Sequence, residues 1–326
     1  MIVPDYWAEA RQQQRSGGRQ VTVRRYGWSE LSQEEAQAHA EARAREACER
    51  IVAGEALLRR EPKLSYNGAE GLPIREEVLA RHGDTVVTRN LYGARCLNTP
   101  DVLFADIDFA SAPGGRLLSV VMGALVLAAL AVGFATHSFL YGLFLIILGL
   151  LGSHAVAEWL QLLLQRLGGG PEKRARRRID TFLRRQPDWH LRLYRTPAGL
   201  RLLAMHRVFD AREPAVADFF KALGVDPLYA RMCHNQRCFR ARVSPKPWRI
   251  GIGTHLRPRP GIWPVNPERL PERQHWVQGY ELRARAYASC RYVEALGGTV
   301  ATCPQALAVQ RLHDEWCQAQ RELPIA

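Results

Sequence analysis

The chain has 326 residues, of which 47% are hydrophobic and 24% charged, and its formal net charge is +13. That length is enough for one large domain or two modest ones with a buried core. The seven cysteines are an odd number, and the first 18 residues are too polar for a cleavable signal peptide, so we expect reduced thiols rather than a disulfide framework. The sequence has no Gly-rich phosphate loop, G-x-S-x-G motif or H-E-x-x-H motif, which excludes several large classes of enzyme.

The amino-terminal part of the chain predicts a short strand and a long helix. We expect residues 1–18 to be loosely ordered, whereas residues 20–26 alternate in polarity as a strand does. Ser32 and Glu35 form an S-x-x-E capping box, which predicts a helix from there to about Arg60. A short helix at 74–82 and a strand at 84–89 are predicted to follow.

The apolar strand predicted at 102–109 ends in two carboxylates, Asp106 and Asp108. Because a strand alternates its faces, both carboxylates project together, while Leu103, Ala105, Ile107 and Phe109 face the core. Two carboxylates on one face can bind Mg²⁺ or Mn²⁺ through oxygen, as metal-dependent nucleotidyl transfer requires. The alternative is a solvated strand face without a metal.

The longest uncharged run, residues 117–157, contains no Asp, Glu, Lys or Arg. It is about twice the roughly 20 apolar residues that one membrane-spanning helix needs, and it shows no polar face. The sequence therefore predicts a transmembrane helical hairpin, with helices at about 117–135 and 139–160 and a polar turn at 136–138. The alternative is a buried helical hairpin within a soluble domain.

Basic residues flank this hairpin at its two ends but are missing from its turn. Positive charge is retained on the cytoplasmic side, so we expect a multi-pass protein of the inner (cytoplasmic) membrane with both termini cytoplasmic. The run KRARRR after the second helix would contact anionic lipid headgroups. Glycines in both helices suit close helix packing, which makes an oligomer formed through the hairpin one option.

Beyond the hairpin, the chain predicts strands mixed with helices. The predicted helices lie at 172–186, 213–223, 277–296 and 304–321, and the strands at 189–195, 200–206 and 238–243. This order lacks strict alternation and is typical of an α+β domain with a mixed or antiparallel sheet and flanking helices. We expect residues 1–115 and 168–326 to form one cytosolic domain, interrupted by the hairpin at 116–167, with strands from both parts in one sheet.

Two groups of basic residues are candidates for contact with a phosphorylated ligand. Arg195 and Arg201 flank the turn 196–199, and the segment CFRARVSPKPWR contributes four more, Arg240, Arg242, Lys246 and Arg249. Guanidinium groups held on a stiff support suit bidentate contacts with phosphate. The alternative, basic residues that solvate an edge strand, is equally open at this point.

Four stretches resemble an uncharacterised family of bacterial two-span membrane proteins, a resemblance that implies no activity: RRYGWSELSQEEA, VVTRNLYGARCLNTPDVLFADIDF, LYRTPAGLR and DPLYARMCHNQRCFRARVSPKPWR. Within them, VLFADIDF is also similar to the first catalytic motif of archaeo-eukaryotic primase-polymerases. That similarity implies metal ligation by Asp106 and Asp108. In those enzymes a later strand presents a His to the nucleotide, and here Arg201 stands at the comparable place.

These patterns lead to three hypotheses. The first is a membrane-anchored protein of unassigned activity whose basic cytosolic domain binds a phosphorylated or nucleic-acid ligand. The second is a membrane-tethered, metal-dependent nucleotidyl transferase that resembles a primase-polymerase. The third is a transporter or channel subunit built from oligomerised hairpins, which the lack of a polar pathway in the two helices disfavours.

Overall fold

The computed structural model describes residues 1, 3–16, 19–61, 72–109, 115–167, 169–298 and 302–326. The described strands are β1 (Tyr6–Ser16), β2 (Arg19–Ser29), β3 (Glu77–His82), β4 (Thr85–Arg89), β5 (Arg95–Thr99), β6 (Phe104–Asp108), β7 (His190–Arg195), β8 (Gly199–Ala204), β9 (Phe239–Arg242) and β10 (Arg291–Gly297). The described helices are α1 (Gln33–Val52), α2 (Gly115–Ala135), α3 (Phe139–Leu167), α4 (Gly170–Arg185), α5 (Pro214–Leu223), α6 (Pro227–Gln236), α7 (Leu270–Ala284) and α8 (Pro304–Cys317). The prediction of an α+β protein is confirmed.

The chain divides into two compact units. The first comprises Met1–Asp106, Gln186–Pro197 and Arg201–Ala326, and the second comprises Ile107–Arg185 with Ala198–Leu200. The first unit thus gathers segments that lie before and after the apolar helices in sequence.

A hairpin of β1 and β2 opens the first unit and packs on α1. The prediction that residues 1–18 are loosely ordered is wrong for Tyr6–Ser16, because β1 pairs with β2 along its whole length, from Tyr6 opposite Ser29 to Ser16 opposite Arg19. Small residues let α1 lie close to this hairpin: a Cβ on Gly27 would come within 2.2 Å of the Ala36 carbonyl oxygen. The glutamines of β1 break the alternation of polarity that would predict a strand, so β1 is recognisable only from its pairing with β2.

A four-stranded antiparallel sheet has the order β3-β4-β5-β9. Its strand β3 replaces the helix predicted at 74–82, because its backbone pairs with β4 rather than with itself. Strand β9 joins β5 with Cys96 opposite Arg242, although the two strands lie on opposite sides of the apolar helices in sequence. The prediction that strands from both parts of the chain meet in one sheet is therefore confirmed.

A second four-stranded sheet has the order β10-β7-β8-β6. Strand β8 is buried throughout, as are Leu191 and Leu193 of β7, so this sheet contributes much of the core. The helix predicted at 277–296 is only partly correct, since α7 ends at Ala284 and β10 then pairs with β7. Burial alternates along β10 with the period of a strand.

In the second unit α2 and α3 form a helical hairpin close to its predicted bounds. The helices approach each other closely at Gly133 and Gly142, where a Cβ on Gly133 would come within 2.9 Å of the Gly142 Cα atom. Only 11% of the apolar window in each helix is buried. Helix α4 follows, with Ala175, Ile179 and Phe182 on its buried face.

Candidate functional site

The first unit contains a polar cleft of about 230 Å³. It lies where strands of both four-stranded sheets approach helix α6, and it contains three of the residues singled out from the sequence. The lining residues are Glu76, Asn90, Leu91, Tyr92, Cys96, Asp106, Tyr229, Arg240 and Arg242.

One wall of the cleft is a buried ion pair between Arg240 on β9 and Glu76. The Arg240 NH2 group donates to both Glu76 carboxylate oxygens, at 2.7 and 2.6 Å. Thr88 donates a further hydrogen bond of 2.7 Å to Glu76, and Asn98 donates one of 3.0 Å to the Thr88 hydroxyl. Burial alone would lower the pKa of Arg240, but Cys96 and Glu76 raise it, so Arg240 is a cation.

A second ion pair joins Asp106 on β6 to Arg201 on β8. The Arg201 Nε and NH2 groups donate to the two Asp106 oxygens at 2.7 and 2.9 Å, a bidentate geometry. Arg201 is 2% exposed and Asp106 37%, so the carboxylate is the partner that meets the cleft. Burial would raise the pKa of Asp106, but Arg201 holds it below its usual value.

Two tyrosines and one further arginine also line the cleft. The Tyr229 hydroxyl donates a hydrogen bond of 3.0 Å to the Arg240 carbonyl oxygen. Burial raises the pKa of both Tyr229 and Tyr92. Both hydroxyls are therefore neutral at physiological pH. The Nε atom of Arg242 is buried, and no described residue forms a hydrogen bond with it. A buried N–H group in this state is uncommon in folded proteins and calls for an explanation.

The ion pair of Arg201 and Asp106 continues into a second buried network. The Arg201 NH1 group lies 3.2 Å from His313 Nε2 and donates a 2.8 Å bond to the Arg242 carbonyl oxygen. The other ring nitrogen of His313 lies 3.1 Å from Asp314, which also accepts a bond of 3.0 Å from Arg192. These contacts tie α8 to β7 and β8, and β8 to β9.

The structure separates the sequence-predicted candidates into two sets. Asp106, Arg240 and Arg242 line the cleft, and Arg201 lies directly behind Asp106. Arg195, Lys246 and Arg249 are not among the described residues that line it. Lys246 instead lies 5.3 Å from the ring of Trp248.

Metal binding by Asp106 is opposed by the hydrogen bonds that its carboxylate already accepts. Both of its carboxylate oxygens already accept bonds from Arg201, while Asp108, two residues further along β6, is exposed. Among the described residues, the group of three or more metal-binding side chains lies elsewhere, at Cys290, His313 and Cys317. Ligation of Mg²⁺ or Mn²⁺ by Asp106 would require its bidentate pair with Arg201 to open.

Sequence reasoning did not find Glu76, Tyr92 or Tyr229. Glu76 is 164 residues from its partner Arg240, and no local spacing connects the two. His313 and Cys317 did carry a signal, because residues four apart on a helix share one face. That pair alone does not predict a metal site, because the third side chain of the cluster, Cys290, is far from both in sequence.

Comparisons of this chain with protein-family models, with curated proteins and with solved structures found no match. The resemblances to two-span bacterial membrane proteins and to primase-polymerases therefore remain predictions. The site must be interpreted from its own geometry.

Proposed function

We propose that this chain is a membrane-anchored protein whose basic cytosolic domain binds a phosphorylated ligand, with Arg242 as the main contact. The observation that carries the proposal is Arg242, which lines the cleft beside two neutral tyrosines and whose buried Nε atom has no hydrogen-bond partner among the residues that the structure describes. A phosphoryl oxygen is an acceptor suited to a guanidinium N–H group.

Charge arithmetic within the cleft supports an anionic ligand. Glu76 offsets Arg240 and Asp106 offsets Arg201, so the positive charge of Arg242 is left among these groups. The volume of about 230 Å³ is smaller than a typical pocket for a drug-sized ligand. A phosphoryl or pyrophosphoryl group fits such a space, with the remainder of a nucleotide outside it.

The apolar helices support the membrane anchor. Helix α2 has 21 residues, which corresponds to about 31 Å and matches the hydrocarbon core of a bilayer. Large apolar side chains cover the outer surface of the hairpin, and Phe134 and Phe139 at its tip are 84% and 81% exposed. Both termini would lie in the cytoplasm, on the side of the basic helix α4.

Binding is favoured over catalysis by the state of Asp106. A metal-dependent nucleotidyl transferase needs carboxylate oxygens that are free to bind a cation. Because Arg201 holds both oxygens of Asp106, the second hypothesis demands a rearrangement that the binding hypothesis does not.

The test uses the full-length chain in nanodiscs of phosphatidylcholine, which carry no net charge and so do not compete for the arginines. Calorimetric titrations with pyrophosphate and with ATP should give saturable binding. Arg242→Gln should weaken it at least tenfold, whereas Arg45→Gln, the same charge change at an exposed position on α1, should leave it within twofold.

Three results would contradict the proposal. One is the absence of saturable binding, and another is equal weakening by the two variants. The third is binding that requires Mn²⁺ and is abolished by Asp106→Asn, which would favour the transferase. Single-stranded DNA is a further probe. If its binding falls steeply with salt and is not changed by Arg242→Gln, the binding is due to the general positive charge of the chain and not to the cleft.

A further inference from the structure

Three soft, metal-binding side chains converge inside the first unit, apart from the cleft. Cys290 directly precedes β10, and His313 and Cys317 lie one turn apart on α8. All three are fully buried, at 0% exposure. Their Sγ and imidazole nitrogen atoms all lie within 4.8 Å of one another.

The spacing is close to that of a tetrahedral zinc site. Zinc binds thiolate sulfur at about 2.3 Å and imidazole nitrogen at about 2.0–2.1 Å, which places sulfur and nitrogen about 3.6 Å apart around a tetrahedral ion. Cys290 Sγ lies 3.8 Å from His313 Nε2. Small side-chain adjustments would therefore suffice to bring these two ligands onto one ion.

The surroundings of His313 match those of a metal ligand. Its Nδ1 atom lies 3.1 Å from the Asp314 carboxylate, which is held in turn by Arg192 at 3.0 Å. A carboxylate that accepts from Nδ1–H fixes the tautomer in which Nε2 carries a lone pair. That lone pair is on the side of the ring that faces Cys290.

We propose that Cys290, His313 and Cys317 bind a Zn²⁺ ion that joins α8 to the start of β10. Two thiolates and a neutral imidazole balance the charge of Zn²⁺, whereas Cu⁺ would leave one buried negative charge. The neighbouring charges cancel in pairs, Arg201 with Asp106 and Arg192 with Asp314. A neutral site is the less costly one to bury.

Two neighbours define the remaining side of the site. The Arg242 carbonyl oxygen lies 4.0 Å from Cys317 Sγ and is the candidate for a fourth ligand. The Arg201 NH1 group, now 3.2 Å from His313 Nε2, would donate to a thiolate once the ion takes the lone pair. Thiolates that accept such bonds are stabilised against protonation.

The test is the metal content of the full-length chain, purified in detergent under reducing conditions and without a chelator, and measured by inductively coupled plasma mass spectrometry. The expected result is about one zinc per chain. Cys290→Ser and Cys317→Ser should each reduce it at least tenfold. Cys48→Ser, a buried cysteine outside the cluster, should not change it.

A second pair of variants distinguishes loss of a metal ligand from loss of the fold. His313→Cys preserves a ligand and should retain the metal, whereas His313→Ala should lose it. Cobalt substituted into the wild-type chain should give thiolate-to-cobalt charge-transfer absorption, which two coordinating sulfurs produce.

Several outcomes would overturn the proposal. The first is a wild-type chain that holds no zinc after purification and takes up none when Zn²⁺ is added. The second is a stoichiometric amount of copper or iron in place of zinc. The third is a Cys290–Cys317 disulfide in protein kept under reducing conditions, because it would make the cluster a redox pair.

Discussion

The two units of this chain differ in what they bury: the first encloses charged side chains, and the second leaves large apolar side chains exposed. The first buries cations, since Arg201 and Arg240 are almost wholly enclosed, and each is matched by a carboxylate that accepts two hydrogen bonds from it. The second exposes large apolar side chains along α2 and α3 and has no charged residue along most of their length. A buried charge is tolerated when a partner replaces its water, and an exposed apolar surface is tolerated when something other than water covers it. Each unit thus indicates the surroundings that it needs.

The largest effect is expected where a buried cation loses its partner. Glu76→Ala would leave Arg240 charged and enclosed without a counter-ion, which typically costs about 3–5 kcal/mol. The midpoint of thermal unfolding, followed by tryptophan fluorescence of the full-length chain in detergent, should fall sharply. Asp5→Ala breaks the exposed pair of Asp5 with Arg81 and should cost no more than about 1 kcal/mol.

A double variant separates lost charge pairing from lost packing. Glu76→Gln combined with Arg240→Met removes both charges and keeps most of the side-chain volume. It should be more stable than Glu76→Ala, since replacing both members of a buried pair is often neutral. If the double variant is the less stable of the two, the uncompensated charge is not the cause.

The second unit is tested by placing a charge on its apolar surface. Leu127 on α2 is 68% exposed and Leu31 in the first unit is 75% exposed. Leu127→Arg should cost about 2.5–3.5 kcal/mol if the helix crosses a bilayer, because a charge at the centre of a span is disfavoured. The fraction of chain that stays in membranes after a carbonate wash should fall for Leu127→Arg and not for Leu31→Arg. Equal retention of both variants would mean that the α2 surface contacts water.

The same contrast explains what the sequence can reveal of the fold. The turn at 136–138 and the starts of α2 and α3 were predicted to within two residues because their signal is local, an uncharged run of two span lengths. The end of α3 was not, since this helix continues from the predicted end at 160 to Leu167. Strands β3 and β10 were predicted as helix because their state depends on β4 and β7, whose pairing no short window contains.

The candidate site divides in the same way. Alternation along β6 predicts Leu103, Ala105, Ile107 and Phe109 on the core face, and the structure confirms burial of the first three, whereas Phe109 is half-buried. Phe104, on the same face as Asp106, is buried as well. The sequence shows Arg201 as a basic residue near a turn but does not show that it is the bidentate counter-ion of Asp106. Glu76 was missed altogether, because a contact across 164 residues leaves no trace in local composition.

A smaller effect is expected at the start of α1, where a local signal was interpreted correctly. The Ser32 hydroxyl accepts a 3.2 Å hydrogen bond from the Glu35 backbone N–H, as the capping box predicts. The Glu35 carboxylate, however, accepts a 2.7 Å bond from Ser29. Ser32→Ala should lower stability by about 1 kcal/mol in the same unfolding assay, and Glu30→Ala, at an exposed neighbour, should not. A loss of equal size in both variants would contradict a capping role.

The smallest effect is a pH dependence that originates in the first unit. Burial lowers the pKa of His206, whose Nδ1 atom lies 3.4 Å from the His190 backbone N–H and whose ring lies 4.8 Å from Trp189. A lowered pKa in the folded state means that the unfolded chain takes up a proton first as the pH falls. The contribution of His206 is therefore complete above its ordinary pKa of about 6.5, and it is lost as the pH drops through the folded-state value.

Between pH 7.5 and 5 the unfolding midpoint of the wild type should fall more than that of His206→Gln, which cannot titrate. Replacing the exposed His255 by Gln should keep the wild-type slope, and a flattened slope in that variant would place the titrating group elsewhere. Because burial is the largest cause of the lowered pKa, with Arg207 and His190 acting in the same direction, the slope tests whether enclosure disfavours a charged imidazole in the first unit.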